Sequence, residues 1–410
     1  MSTSASPNKI GLGMAIAICL NAMIGVGIFL APAALACTVG PAGILTYIFV
    51  IFAVWCMGSS IARLAYLYPQ EGSFYIYTKQ WAGHIGALIA VFSYLIGLTV
   101  AMGLLAQIVG IYLHDYSAQL AVSYAWVPDF SAQTWSIISV VAFTLLNMAG
   151  NTAMQASQII LLVLTLFPLF ATIVLCMPSF SLENLKPFMP FGVINIFVAA
   201  KSVIFGFFGF ESATSLYGMV KDPEKTVSRA LTWAILITGA IYMSFVTALM
   251  LAIPASQFCA QAPITQTLEA QFPQAKLFIL SMHIAIVFAI LGTIYSVMWS
   301  VGALLYVTLK KMKTAVVHTL IANNILNHRV CTVIIGAGIL ASFLLLKNID
   351  LFFSVTSIFI VSAYISSIIT LLTLKKEWQS GENMRTVAGL LTACMILYFS
   401  VQNLMQALVG

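Results

Sequence analysis

Glycines interrupt two long apolar runs of this sequence, each at a point where a membrane-crossing helix would otherwise continue. The first interruption is Gly-Val-Gly at residues 25–27, and the second begins with Gly-Phe-Phe-Gly at residues 206–209. A helix that unwinds for one turn frees N–H groups, which suit a carboxylate, and C=O groups, which suit an ammonium. Glycine provides the backbone freedom and leaves room for close approach. Because exposed backbone is tolerated in a bilayer only where it lines a cavity or is buried in protein, the two runs predict a small-molecule site.

The same glycines permit a second interpretation. Small residues are common where membrane helices pack closely, so either interruption alone is explained equally well by packing. Two interruptions at corresponding positions of two halves of the chain favour the binding site.

Two ionisable residues lie inside the second interrupted run. Glu211 is the one acidic residue predicted to lie within a span, and a buried carboxyl is costly enough in lipid to indicate function. Burial disfavours its charged form, so Glu211 is a candidate for gating or for sensing protons; the alternative is an acceptor that fixes the helix break. Lys201, near the start of the run, either snorkels to the outer interface or acts in an outer vestibule.

The composition predicts an all-α polytopic membrane protein. Of the 410 residues, 61% are hydrophobic and 7% are charged, whereas a soluble domain has about a quarter charged residues. The apolar runs are about 20 residues long, as transmembrane helices require, and barrel strands would need only about ten. The sequence predicts eleven spans, with twelve as the alternative count. They are residues 10–37, 41–68, 84–113, 134–149, 153–177, 194–217, 229–253, 276–309, 330–346, 350–374 and 386–408.

Basic residues are distributed asymmetrically about these spans. If the N-terminus lies inside, thirteen of the 17 lysines and arginines fall in cytoplasmic segments. The positive-inside rule therefore predicts a cytoplasmic N-terminus and, with eleven spans, an outer C-terminus. The net charge of +6 is explained by topology, and nucleic acid is not expected as a partner. The thirteen are Lys9, Arg63, Lys79, Lys221, Lys225, Arg229, Lys310, Lys311, Lys313, Arg329, Lys375, Lys376 and Arg385.

The seven cysteines are scattered, mostly within apolar runs, and form no CxxC pair. This pattern argues against a disulfide framework or a metal site and favours small packing residues. No metal and no cofactor are predicted.

The interrupted runs are the first and sixth spans, which suggests two units of five helices. Because five is odd, the second unit crosses the membrane in the opposite sense, and paired interrupted spans in an inverted repeat are typical of secondary transporters. We expect one transmembrane transporter domain over residues 1–410, with repeats at 8–177 and 194–374 and an additional helix at 386–408.

Several motifs in the first seven spans occur in the order of a known family. They are GVGIF at residues 25–29, PQEGSFYIY at 69–77, LLNMAG at 145–150, FGFES at 208–212 and VKDPEK at 220–225. With them the chain resembles amino acid permeases of the amino acid–polyamine–organocation superfamily, and among these the basic amino acid/polyamine antiporters. Beyond the eighth span the resemblance holds only in outline.

The resemblance implies a fold with broken helices 1 and 6 and a site between them. The substrate's α-carboxylate would meet the backbone of the first break, its α-amine would meet carbonyls of the second, and two phenylalanines would cover it. With residues weighed on their own positions added, the predicted substrate-binding residues are Asn21, Ile24, Gly25, Val26, Gly27, Phe205, Gly206, Phe208, Tyr295 and Trp299. The gating or proton-sensing residues are Phe205, Phe208 and Glu211.

Three of these residues also have structural interpretations. Tyr295 and Trp299 share one face of the eighth span by their i,i+4 spacing, where they either pack in the core or line the site. Asn21 lies one turn before the first break and is either a polar contact between helices or a contact to the substrate's side chain.

The sequence departs from the family pattern in three places. Eleven spans are counted where members usually have twelve, and the loop after the eighth span lacks the R/K-D-G-x-x-P run. Thr165 stands near the position in the fifth helix where proton-coupled members often carry a lysine. The last difference argues against proton symport through such a lysine.

The resemblance therefore implies a secondary transporter of amino acids or related amines in the bacterial cytoplasmic (inner) membrane. An exchanger of amino acids, including basic amino acids and their decarboxylation products, is favoured, and a proton-coupled symporter of neutral amino acids is the alternative. A channel or membrane sensor would not need paired broken helices. An intramembrane enzyme is not predicted, because the histidines lie near span ends. The expected partners are the small-molecule substrate and the lipid bilayer, and a homodimer is compatible with the sequence.

Overall fold

The structure is a computed structural model that describes residues 9–123, 128, 130–148, 151–260, 264–346, 348–373 and 381–409. Among these residues the secondary structure is helical, apart from one isolated parallel β-bridge between Ile10 and Val220. The all-α prediction is confirmed. The helices are α1 (Leu12–Met23), α2 (Gly27–Thr38), α3 (Gly43–Leu67), α4 (Ser73–Ser123), α5 (Ala132–Leu146), α6 (Asn151–Cys176), α7 (Ile194–Val198), α8 (Ala200–Phe205), α9 (Ser212–Ser215), α10 (Pro223–Ala252), α11 (Ala255–Ala260), α12 (Ile264–Gln271), α13 (Lys276–Lys311), α14 (Ala315–Ala322), α15 (His328–Leu345), α16 (Ile349–Thr373) and α17 (Glu382–Val409).

The described helices account for the predicted spans. Eight of them contain segments long and apolar enough to cross a membrane, and α1 with α2 forms a further span bent by 42°. Two shorter apolar helices, Ala132–Leu146 and Ile194–Phe205, fall on the predicted fourth and sixth spans. The chain is thus a polytopic membrane protein.

Some helices begin where the sequence does not predict them. The third predicted span starts at residue 84, but α4 begins at Ser73 and is divided by Gly83, whose φ of 66° and ψ of −165° are not helical. The ten residues before Gly83 form a separate helical segment that carries Lys79. Charged and polar residues hide this segment from a search for apolar runs, and the connecting helices α11, α12 and α14 are too short to be found by such a search.

One cysteine contradicts the prediction that these residues serve only in packing. Cys37, at the end of α2, is disulfide-bonded. Cys19, Cys56, Cys176 and Cys331 are free and buried, as packing residues should be. Scattered spacing could not reveal the bond, because it depends on tertiary proximity.

The interior of the bundle surrounds the two interrupted spans. α13 has the most buried membrane-spanning segment among the described helices, whereas α17 lies at the periphery with most of its surface exposed. α1 packs against α6, α9, α10 and α13, and α16 packs against α4 and α8. The helix breaks therefore lie among the long helices α4, α6, α10, α13 and α16, as backbone without helical hydrogen bonds requires in a membrane.

Candidate functional site

The first break separates α1 from α2 at residues 24–26. Ile24 leaves the helical conformation with a ψ of 78°, and the N–H of Gly25 bonds back to the carbonyl of Met23 at 2.9 Å. Among the described residues, no hydrogen bond is made by the backbone N–H groups of Val26, Gly27 or Ile28. These three donors lie at the start of α2, where the helix dipole also favours an anion.

The second break separates α8 from α9 and is tightly wound. Its residues form successive i→i+3 hydrogen bonds, such as Gly206 N–H to Val203 and Phe207 N–H to Ile204. Gly209 has a φ of +103°, a conformation that side chains disfavour. The backbone carbonyl of Phe208 accepts no hydrogen bond from the described backbone, so it is available to an ammonium group.

The two breaks are in direct contact, and glycine is what permits it. A Cβ added at Gly27 would lie 2.7 Å from the Cα of Gly206, and one added at Gly209 would lie 2.8 Å from the Cβ of Ala22. The packing interpretation of these glycines is therefore correct for the contact between the spans. It does not exclude the site, since the same approach brings free N–H and C=O groups together.

Side chains from two other helices form hydrogen bonds with backbone carbonyls near the ends of the broken helices. The hydroxyl oxygen of Tyr242, in α10, lies 2.8 Å from the carbonyl oxygens of both Met23 and Gly206, which share its single proton. From α13, Thr293 Oγ1 donates to the carbonyl of Asn21 at 2.7 Å, and Ser296 Oγ donates to that of Ile18 at 2.9 Å. The last carbonyls of a helix need such partners when they are buried. Tyr242 thereby links the first break to the second.

Asn21 is held by α6. Its Nδ2 lies 2.6 Å from the side-chain oxygen of Gln158 and 2.7 Å from the backbone oxygen of Gln158. Of its two interpretations, the structure supports the polar contact between helices, and its side chain does not line the cavity between the breaks.

A narrow cavity lies between the two breaks. Its volume is about 20 Å³, close to the room that one water molecule needs. The walls are backbone of both breaks and apolar side chains of α4, and no charged side chain lines them. Six of the predicted site residues meet here: Gly25, Val26, Gly27, Phe205, Gly206 and Phe208. Sequence reasoning missed the other lining residues: Ala22, Met23, Leu98, Ala101, Met102, Leu105 and Thr293.

Phe205 and Phe208 form one side of this cavity. Their ring centroids lie 6.3 Å apart, and Phe205 also packs on Phe353 at 4.8 Å. Ile24, Tyr295 and Trp299 are buried outside the cavity.

The ring of Tyr295 packs against that of Phe143 of α5, with ring centroids 5.7 Å apart. A substrate contact by Tyr295 or Trp299 stays a prediction.

Glu211 is fully buried at the start of α9. Its Oε2 accepts a hydrogen bond from the hydroxyl of Tyr364, in α16, at 2.8 Å, and its Oε1 has no hydrogen-bond partner. The nearby titratable groups are the neutral Tyr94 of α4 and Cys19 of α1, and no described cation pairs with the carboxyl. The Tyr364 ring lies 6.3 Å from that of Phe208, so a change at Glu211 has a direct route to the cavity wall.

The remaining polar residues singled out from the sequence lie outside the cavity. Lys201, in α8, is half-buried and interacts electrostatically with Asp350, at the start of α16. Thr165 is buried and donates to the carbonyl of Leu161 in its own helix at 2.9 Å. Neither side chain lines the cavity, which leaves Glu211 as the charged residue type singled out from the sequence that is linked to the cavity wall.

Comparison with known families agrees with this geometry. A family model described as amino acid permease matches residues 10–408. The chain belongs to the amino acid permease family. This family is one of transporters rather than enzymes, and the predicted superfamily is confirmed, whereas the finer likeness to basic amino acid antiporters stays a prediction.

The proteins to which this chain is similar include transporters with several different names. It is 29% identical over 266 residues to an uncharacterized transporter of Mycobacterium tuberculosis, covering 64% of this chain and 57% of that protein. A branched-chain amino acid permease of Bacillus subtilis is 25% identical over 264 residues, covering 61% and 56%. A methylthioribose transporter of Bacillus subtilis is 22% identical over 261 residues, with the same shares. The permease spans a little over half the length of these curated relatives.

Proposed function

We propose that this permease exchanges neutral, apolar amino acids across the cytoplasmic membrane by alternating access. The observation that carries the proposal is the cavity between the two breaks, where unpaired N–H groups at the start of α2 and the unpaired carbonyl of Phe208 lie on the walls of one enclosure. Such groups match the α-carboxylate and α-ammonium that every amino acid carries.

The chemistry of the walls supports a neutral substrate. Leu98, Ala101, Met102 and Leu105 of α4 supply an apolar surface, and the cavity has no acidic side chain to pair with a cationic substrate. A buried unpaired charge is expensive, so a basic amino acid would need a partner that these walls lack. The branched-chain substrate named for one relative is of the same apolar kind.

The small volume of the cavity supports alternating access. About 20 Å³ cannot hold an amino acid, so this conformation is a closed one from which the site must widen. We infer that residues 8–177 and 194–374 are the inverted repeats whose relative movement opens the site to each side in turn. The N-terminus lies in the cytoplasm in this proposal.

Proton-coupled symport is the second candidate, and Glu211 is the observation that favours it. A fully buried carboxyl with one unpartnered oxygen can carry a proton through a transport cycle, and Tyr364 connects it to the wall of the site.

Counterflow in proteoliposomes tests the proposal and separates its two forms. Vesicles loaded with unlabelled leucine should accumulate labelled leucine without any ion gradient, and they should not accumulate labelled arginine or agmatine. Uptake into empty vesicles that requires an inward proton gradient would instead support symport. If no amino acid or amine in a broad panel is exchanged or taken up, the proposed function is wrong.

A further inference from the structure

A second cavity lies away from the helix breaks, at the face of the bundle where Ile10 bridges Val220. Its volume is about 300 Å³, within the range of small-molecule pockets. It is bounded by the end of α3 and the starts of α10 and α17. The proposed transport cycle does not use it, and the sequence alone assigns its arginines only to membrane topology.

The charged groups of this cavity carry a net positive charge. Arg63 Nε lies 3.0 Å from Glu382 Oε1, and both side chains are largely buried, so this pair is neutral overall. Arg385 also lines the cavity and forms no ion pair with a described acidic residue. Its guanidinium lies 5.8 Å from the centroid of the Trp55 ring. This contact positions the guanidinium but does not neutralise its charge. One positive charge is therefore available to a ligand.

The hydroxyl groups of the cavity are also available. Ser228 and Thr386 both line the cavity, and neither hydroxyl has a hydrogen-bond partner among the described residues. A cavity hydroxyl without a protein partner can donate a hydrogen bond to a ligand that accepts one. Hydroxyl and guanidinium donors converging on one enclosure are the chemistry that binds an oxyanion.

We propose that this cavity binds a phosphate group, presented either by the headgroup of an anionic phospholipid or by free inorganic phosphate. The planar guanidinium of Arg385 matches two phosphate oxygens, and Ser228 and Thr386 donate to the others. The exposed apolar side chains of Tyr66, Trp233 and Met384 flank the cavity on the same helices and suit acyl chains. Basic pockets between membrane helices at the cytoplasmic side bind lipid headgroups in this way. The cytoplasmic location rests on the orientation proposed above.

Native mass spectrometry of the purified permease tests the site. With mixed phosphatidylglycerol and phosphatidylcholine in detergent, the wild type should retain phosphatidylglycerol selectively. Arg385→Gln should weaken that retention roughly tenfold, as expected for the loss of a charge-assisted hydrogen bond. Arg229→Gln is the matched control, because Arg229 is exposed on α10 and does not line the cavity.

A second variant and a second probe keep the test decisive. Ser228→Leu should fill the cavity without changing its charge and should also release the lipid, even if Arg385→Gln alters folding.

Thermal unfolding with inorganic phosphate, compared with chloride at equal ionic strength, distinguishes a lipid headgroup from free phosphate. Stabilisation by phosphate that is lost in Arg385→Gln supports free phosphate as the ligand, and selective lipid retention without it supports the headgroup. Equal lipid retention by Arg385→Gln, Ser228→Leu and Arg229→Gln, with no stabilisation by phosphate, would overturn the site.

Discussion

At the scale of single residues, the glycines of the two breaks have a steric reason to be glycine. Gly27 lies against backbone atoms of Gly206, and backbone cannot move aside as a flexible side chain can. The contact holds the free amides of α2 beside the second break. A methyl group at this position should separate the two elements on which the proposed site depends.

We therefore expect Gly27→Ala to impair transport strongly. The added Cβ would lie 2.7 Å from the Cα of Gly206, and forced overpacking costs about 1–3 kcal/mol. Leucine counterflow should fall about tenfold or more, with a lower melting temperature. Gly13→Ala, in the same span, is the control, because a Cβ added at Gly13 would have no neighbouring atom within 4 Å. Equal activity of the two variants would show that the close approach is dispensable.

Tyr242 should stabilise the breaks through its hydroxyl. Tyr242→Phe removes the single proton that the carbonyls of Met23 and Gly206 share, and a hydrogen bond in a membrane protein contributes roughly 0.6 kcal/mol. Tyr47→Phe is a matched control, since Tyr47 packs on the Tyr242 ring but its own buried hydroxyl has no partner. Thermal unfolding in detergent should show a loss for the first variant and none for the second. The opposite order would contradict the bridging role.

Glu211 should control the pH dependence of transport. Glu211→Gln keeps an acceptor oxygen for Tyr364 but has no proton to exchange, and the neighbouring titratable groups are Cys19, Tyr94 and Tyr364. We expect leucine uptake by this variant to be independent of pH over the range where the wild type varies. Glu224→Gln, at an exposed acid of α10, should keep the wild-type profile. A wild-type pH dependence in Glu211→Gln would show that Glu211 serves only as a structural hydrogen-bond acceptor.

The residues that sequence reasoning missed share a physical cause. Tyr242, Thr293 and Gln158 are isolated polar groups in long apolar runs, and each has a partner more than a hundred residues away along the chain. Nothing in their local pattern distinguishes them from ordinary core residues. The glycines were found because backbone freedom leaves a local signature, and Glu211 because a carboxyl is rare in lipid.

At the scale of elements, the two broken spans are joined at the ends that the proposed orientation places on the cytoplasmic side. Ile10 N–H donates to the carbonyl of Met219 at 2.9 Å, and Lys221 N–H donates to the carbonyl of Ile10 at 2.9 Å. The start of α1 and the chain after α9 are thus linked by a short parallel bridge. We expect these two segments to move as one unit when the site opens.

Ile10→Pro tests this coupling, because proline has no N–H for the bond to Met219. Spin labels at the start of α1 and the start of α10 should show a broader distance distribution in the variant, together with slower counterflow. Gly11→Pro is the control, since Gly11 has a φ of −82° that proline tolerates. An unchanged distance distribution in Ile10→Pro would contradict the coupled movement.

Element boundaries were predictable where apolarity changes sharply and not elsewhere. The end of α1 at Met23 and the end of α8 at Phe205 agree with the predicted interruptions. The second interruption was expected to be unwound, but it is a run of tight i→i+3 turns, because Phe207, Phe208 and Phe210 bury their rings while the backbone keeps local hydrogen bonds.

At the scale of the whole molecule, the distribution of basic residues supports the proposed orientation in the membrane. The basic residues concentrate on the face that also holds the Ile10–Val220 bridge and the cavity of Arg63 and Arg385. With eleven spans this orientation puts Gly410 outside the cytoplasmic membrane. The expected location of Gly410 and the cytoplasmic location of the proposed phosphate site both depend on this orientation.

Reporter fusions after Gly410 test the orientation. We expect alkaline phosphatase fused there to be active and green fluorescent protein to be dark, because the first folds only outside the cytoplasm and the second only inside. Fusions after residue 313, between α13 and α14, are the control and should give the opposite result. A fluorescent fusion at Gly410 would mean that the C-terminus is cytoplasmic and that the span count or the orientation is wrong.

The central claim is that backbone groups of the two breaks recognise the α-carboxylate and α-ammonium of the substrate. Competition by leucine analogues for labelled leucine counterflow measures this most directly. Isopentylamine lacks the carboxylate, 4-methyl-2-oxopentanoate lacks the ammonium, and both keep the apolar side chain. Because a hydrogen bond to a charged group contributes about 1.5–3 kcal/mol, each analogue should compete roughly ten- to a hundredfold more weakly than leucine. Competition by either analogue as strong as that of leucine would contradict the account.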